Sequence, residues 1–109
     1  GRVMRRVQCS LASYVVAIMY MQRIQADKQE QLRINDGNVR LVFLTTTLLA
    51  SKYLDDFVYS NAFFAEVGQI TNARMNALEL EALSLLEFRL GVDGRAFQLS
   101  TRRLLPGAR

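Results

Sequence analysis

Between residues 10 and 24 the apolar side chains are Leu11, Ala12, Tyr14, Val15, Val16, Ile18, Met19, Tyr20, Met21 and Ile24. On a helix of 3.6 residues per turn they occupy nearly the whole circumference, the pattern of a central helix surrounded by others. Ser10 stands where a helix cap is expected. A polar stretch, residues 25–35, runs into the turn-forming Asn35-Asp36-Gly37-Asn38. Beyond it Val39, Val42, Phe43, Thr46, Leu49, Ala50 and Tyr53 recur with helical spacing, and Leu41, Leu44 and Leu48 widen the stripe. Thr45, Thr46 and Thr47 are poor helix formers, so packing must hold this helix rather than propensity. A short helix is predicted next, capped by Ser60 or Asn61 and stopped at Gly68. Thr71 then caps a helix predicted over about residues 73–88, striped by Met75, Leu78, Ala82, Leu85 and Leu86. Gly91 and Gly94 end that pattern. Every strong segment has the helical period, so the fold class is all-α, with about five helices.

Composition narrows the function. A chain of 109 residues holds one core, and 50% apolar content is ample for it. A single proline leaves long helices unbroken. Histidine is absent and Cys9 is the one cysteine, which removes most zinc sites, any internal disulfide and every device built on a histidine base. One cysteine fits a reducing, intracellular setting, nucleus or cytoplasm. The net charge of +4 is mild and spread along the chain, so no specific nucleic acid is expected as a partner. The longest apolar run, residues 11–21, is about half of what a bilayer span needs, so no membrane is expected either. The basic opening, residues 1–6, lacks a following cleavage signal.

A search for chemistry finds none. Cys9 and Ser10 have no histidine to activate them. Asp55 and Asp56 are adjacent and Glu79 and Glu81 are two apart, and neither pair shares a helical face, so a solvated surface is the expectation for them. The glycines are scattered and form no phosphate loop. The chain therefore reads as a non-enzyme that binds another protein, with no cofactor and no metal. Two features stand out from an ordinary helical surface. Lys52 closes an otherwise apolar helix, and Glu79 sits within another.

Together these stretches resemble a cyclin box of the P/U type, the branch related to the yeast phosphate-system cyclin. Residues 9–24, with Tyr20-Met21-Gln22-Arg23-Ile24, are similar to the family's second helix, which usually ends Tyr-Ile-Asp-Arg-Leu. Residues 45–52, ending Leu-Leu-Ala-Ser-Lys, are similar to its third. Asn61-Ala62-Phe63-Phe64-Ala65-Glu66-Val67-Gly68 resembles Asn-x-x-Tyr-Ala-x-Val-Gly-Gly, and Met75-Asn76-Ala77-Leu78-Glu79-Leu80-Glu81 resembles Leu-Asn-x-Leu-Glu-x-Glu. The resemblance covers roughly residues 7–92 and implies a cyclin box at 1–94; the C-terminal extension at 95–109 is expected to have a weak helical beginning and a basic, partly disordered end.

What the resemblance implies is a regulatory subunit that binds and activates a cyclin-dependent protein kinase. Lys52 and Glu79 match the charged pair with which cyclins hold the kinase beside its mobile helix. Tyr53, Leu83 and Leu90 match apolar positions that pack on that helix. Asp56 lies near an acid that pairs with a kinase arginine in the phosphate-system branch. Cyclin-fold modules that bind nucleic acid, and scaffolds that do not activate a kinase, are the alternatives, because fold does not fix function. The chain departs from the pattern at Gln69, where the motif has its second glycine, at Arg40-Leu41 in place of His-Arg, and at Gln22 in place of Asp. The family's first helix is missing or reduced to residues 1–6. An open face on residues 11–21 would then favour self-association or a partner chain.

Overall fold

The computed structural model describes residues 10–55 and 58–104. They form five helices, α1 (Leu11–Asp27), α2 (Val39–Leu54), α3 (Asn61–Gly68), α4 (Asn72–Leu85) and α5 (Gly94–Leu104), joined by turns with no strand among them. Three of these helices begin at hydroxyl caps. Ser10, Ser60 and Thr71 each accept the amide N–H three residues on, at 3.1 Å in every case. Each removes one unpaired donor from a helix start. The turn before α2 is closed by asparagines: Asn35 Oδ1 accepts the Gly37 amide, and Asn38 Oδ1 accepts that of Asn35.

α1 and α2 run antiparallel. The start of α1 meets the end of α2 through Ser13 and Asp55, while Ile24 near the other end lines one shallow cavity with Leu41 and Val42. α2 is the most enclosed helix of the described residues, packing on α1, α3 and α4. Residues 44–51 are buried without a break. The three threonines survive there because each hydroxyl donates to a carbonyl of the preceding turn, from Thr45 to Leu41, Thr46 to Val42 and Thr47 to Phe43. That bond satisfies a buried polar group, at a small cost to the helix that the surrounding packing absorbs. The core is completed by Val16, Tyr20 and Ile24 from α1, Phe64 from α3, and Met75, Ala82 and Leu86 from α4 or its end. The α4 stripe is thus the one its spacing predicts.

α4 stops earlier than the sequence pattern suggests. Leu86 is its C-cap, and Glu87 and Phe88 both adopt left-handed backbone with φ of 55° and 57°. The Phe88 amide then donates to Leu83 O at 2.8 Å, the long-reach bond that closes a helix end of this kind. The next segment is tied down by α1. Tyr20 Oη donates to Leu90 O and Arg23 to Arg89 O, both at 2.6 Å. Past Gly94 the chain becomes helical again: α5 lies against α1, with Phe97 packed on the core. Arg102 and Arg103 in its last turn suit the negative end of the helix dipole. So α5 meets part of the α1 face on which self-association is expected, while Leu11 stays exposed. Residues 1–6, read as a reduced first helix, lie outside the described residues. Gln22, which replaces the motif's Asp, is exposed, so an acid at that position would be solvated.

The end of α3 explains two motif positions. A Cβ added to Gly68 would sit 2.5 Å from Leu44 Cδ2, and Leu44 is itself buried, so the glycine lets α3 approach α2. Arg40 seals the junction by donating to Gly68 O at 2.9 Å. Gln69, where the motif has glycine, takes the left-handed conformation at φ 59°. Without glycine this costs about 1 kcal/mol. Gln69→Gly should therefore raise the unfolding free energy by up to about 1 kcal/mol, and Gly68→Ala should lower it by about 1–3 kcal/mol through overpacking. Urea titration of the two variants checks both signs.

Tyr20 supplies a pH test. Burial pushes its hydroxyl up to about 12, against a smaller opposing pull from Arg23. The neutral phenol is the native form, so its contribution is complete below the unfolded value near 10 and disappears as pH rises through 12. Stability should fall by up to about 1.4 kcal/mol per pH unit across that window. Tyr20→Phe should cost about 1–3 kcal/mol at neutral pH, because Leu90 O loses its donor, and should flatten the alkaline slope.

Candidate functional site

The last turn of α2, the first residue of α3 and the middle of α4 converge on one polar cluster. Lys52 Nζ lies 2.7 Å from Glu79 Oε2, although 27 positions separate the two in sequence. Asn61 Nδ2 donates to Glu79 Oε1 and to Asn76 Oδ1, both at 2.8 Å. The local reasons are simple. Lys52 is the first charge after the buried run of α2, placed by the helix dipole at a favourable end. Asn61 follows the Ser60 cap, so its side chain leaves the top of α3 toward α4. Asn76 and Glu79 are three residues apart and share a helical face.

Exposure differs across the pair. The Lys52 side chain retains 38% of its accessible area, and Glu79 only 17%. The expectation of a solvated Glu79 is therefore corrected: α4 carries it into a partly buried position, and Lys52 and Asn61 each engage one of its carboxylate oxygens. Asp55 also departs from a solvated surface. It is the C-cap of α2, and its carboxylate accepts the Ser13 hydroxyl at 2.9 Å and the Ser10 amide at 3.4 Å. An acid there complements the positive start of α1. Glu81, by contrast, is exposed.

Around the cluster lie apolar groups. Tyr53 is 51% exposed, and its hydroxyl lies beside Gly91, one residue past Leu90. Leu83 and Leu90 are half-buried against the core, leaving part of each outward. Asp56 lies outside the described residues. The structure thus joins Lys52 to Glu79 directly and puts Tyr53 beside the Leu90 segment.

Sequence reasoning missed Asn61 as a partner of Glu79 and Asn76 as the second acceptor of Asn61, and two exposed apolar residues, Leu80 at 63% and Phe88 at 66%. Leu80 had a usable signal, since it falls roughly opposite the Leu78–Ala82–Leu85 stripe on a 3.6-residue helix. Phe88 had none, because its outward placement follows from a left-handed turn made without glycine. No helix of the described residues is long and apolar enough to cross a membrane.

The cyclin family model matches residues 1–90. Cyclin-U4-2 of Arabidopsis thaliana is 41% identical over 91 residues, covering 84% of this chain and 42% of that protein. Cyclin-U4-1 of Arabidopsis thaliana is 40% identical over 96 residues, covering 88% and 47%. Cyclin-P1-1 of Oryza sativa subsp. japonica is 40% identical over 108 residues, covering 99% and 40%. The chain spans less than half the length of these curated relatives. No solved structure matches it. Similarity of this extent, running through both sides of the Lys52–Glu79 cluster, decides the assignment: the chain belongs to the cyclin family, as a P/U-type cyclin box.

Proposed function

We propose that this chain binds a cyclin-dependent kinase and activates it, with Lys52 and Glu79 at the centre of the contact and no catalytic group of its own. The observation that carries the reading is the 2.7 Å pairing of these two side chains across two helices, with exposed Tyr53 following Lys52 in the chain and exposed Leu80 following Glu79. Exposed aromatic and leucine side chains around a charged pair have the anatomy of a binding site, with anchors that exclude water and charges that grow stronger once it is gone. Lys52 keeps two N–H donors beyond its bond to Glu79, enough to hold carbonyl groups of a partner. Tyr53, Leu83 and Leu90 would pack on the kinase helix, and Asp56 would pair with a kinase arginine.

The test is a panel of recombinant cyclin-dependent kinases, assayed for binding and for phosphoryl transfer with and without the chain. Binding with a rise in activity supports the proposal, binding without one makes the chain a scaffold, and no binding at all sinks it. Against a kinase that binds, Lys52→Ala and Glu79→Ala should each weaken affinity by about 2–5 kcal/mol. The double variant should fall short of the sum, because the two charges support each other. Glu79→Ala also leaves Asn61 with one acceptor fewer and should lower stability by about 1 kcal/mol, so binding is compared at a temperature where each variant is folded.

A further inference from the structure

We propose that Asn76 is a further kinase-contacting residue, and that Asn61 is the positioning residue that turns the Asn76 amide outward to donate to main-chain carbonyl groups. The inference deepens the kinase reading and rests on it for the partner's identity. Its basis is the direction of the hydrogen bonds in the cluster. A carboxylate only accepts, so the Asn61 atom 2.8 Å from Glu79 Oε1 is the amide nitrogen. The same nitrogen lies 2.8 Å from Asn76, and with its second N–H it donates there, which makes the Asn76 atom the carbonyl oxygen. The Asn76 nitrogen is then forced to the other side. Asn76 is exposed, and its N–H pair has no partner among the described residues. One ionised carboxylate therefore sets the orientation of two successive amides.

The consequence is a donor array. Lys52 offers its remaining ammonium protons and Asn76 its amide protons, both anchored to the same Glu79–Asn61 frame. Nothing outward in this array is negatively charged, since Oε2 of Glu79 is taken by Lys52 and Oε1 by Asn61. Such a surface suits a segment that presents unpaired carbonyl oxygens, as the last turn of a helix does. It does not suit a carboxamide-blind apolar contact, because the amide N–H groups would lose water without gaining an acceptor. Pre-setting the amides also removes the cost of ordering them on binding.

Three variants of the full chain test this against a kinase that the wild-type chain binds. Asn76→Ala should lower affinity about threefold to tenfold, the effect of one neutral hydrogen bond. Asn76→Asp keeps an oxygen for Asn61 but turns a second oxygen outward, so it should bind more weakly than Asn76→Ala. A merely structural Asn76 gives the opposite order, because Asp retains the internal bond that Ala loses. Asn61→Ala should weaken binding by at least as much as Asn76→Ala. Side-chain amide hydrogen exchange of the free chain by NMR reads the relay itself: the Asn61 protons should be protected and those of Asn76 should exchange freely. A protected Asn76 amide, or an Asn76→Asp variant that binds as well as wild type, overturns the inference and leaves the kinase reading intact. Failure of the wild-type chain to bind any kinase of the panel overturns that reading instead, and the exchange pattern still decides whether the relay exists.

Discussion

Eight consecutive residues of α2, numbers 44–51, are shut away from solvent, and that enclosure sets the terms for the rest of the molecule. A helix surrounded on all sides cannot carry a charge or an unpaired polar group without a cost of several kcal/mol. The sequence meets the condition with leucines, one alanine, and hydroxyls that turn back onto the helix's own carbonyls. No buried side-chain nitrogen or oxygen among the described residues lacks a partner. The first charges are thereby displaced to Arg40 on one side and to Lys52 and Asp55 on the other. Each of the three goes directly to a neighbouring helix, Arg40 to the end of α3, Asp55 to the start of α1 and Lys52 to the middle of α4. The Lys52–Glu79 cluster thus lies where the buried helix surfaces.

Much of this was legible in the sequence wherever a local rule operates. Caps follow from single hydroxyl residues, and Ser10, Ser60 and Thr71 were each marked by the apolar pattern behind them. The α4 stripe follows from spacing alone. The pairing of Lys52 with Glu79 could not come from spacing, because a contact across 27 positions belongs to the fold, and only the family resemblance made it an expectation. Asn61 and Asn76 stayed unread for another reason: a carboxamide pair has no periodicity, and asparagines near helix starts are ordinary. Asp55 was misjudged because its partner, the start of α1, lies 42 positions back. The end of α4 was overrun because the usual glycine is absent from the left-handed turn. α5 was under-read because its inward face is Ala96, Phe97, Ser100, Thr101 and Leu104, only two of them large and apolar, while Leu99 turns outward.

Membership of the cyclin family places these local facts in a cyclin box. The chain matches less than half of the length of its relatives, and the box is the part that these residues describe. Within it the division of labour is clear. α1 and α2 provide the rigid body, α3 provides the asparagine that braces α4, and α4 presents the acid and the apolar shoulder.

The ties between the two ends of the chain bear on how it reaches this state. Tyr20 holds Leu90 across 70 positions, Arg23 holds Arg89 across 66, and Ser13 holds Asp55 across 42. Helical proteins fold fast chiefly because their contacts are local. Here the clasp that fixes the end of α4, and with it the departure of α5, needs α1 in place first, so the loop must close over most of the chain before the last contacts reward it. For an all-helical protein of this size, these ties lengthen the mean sequence separation of its contacts, the quantity with which folding slows.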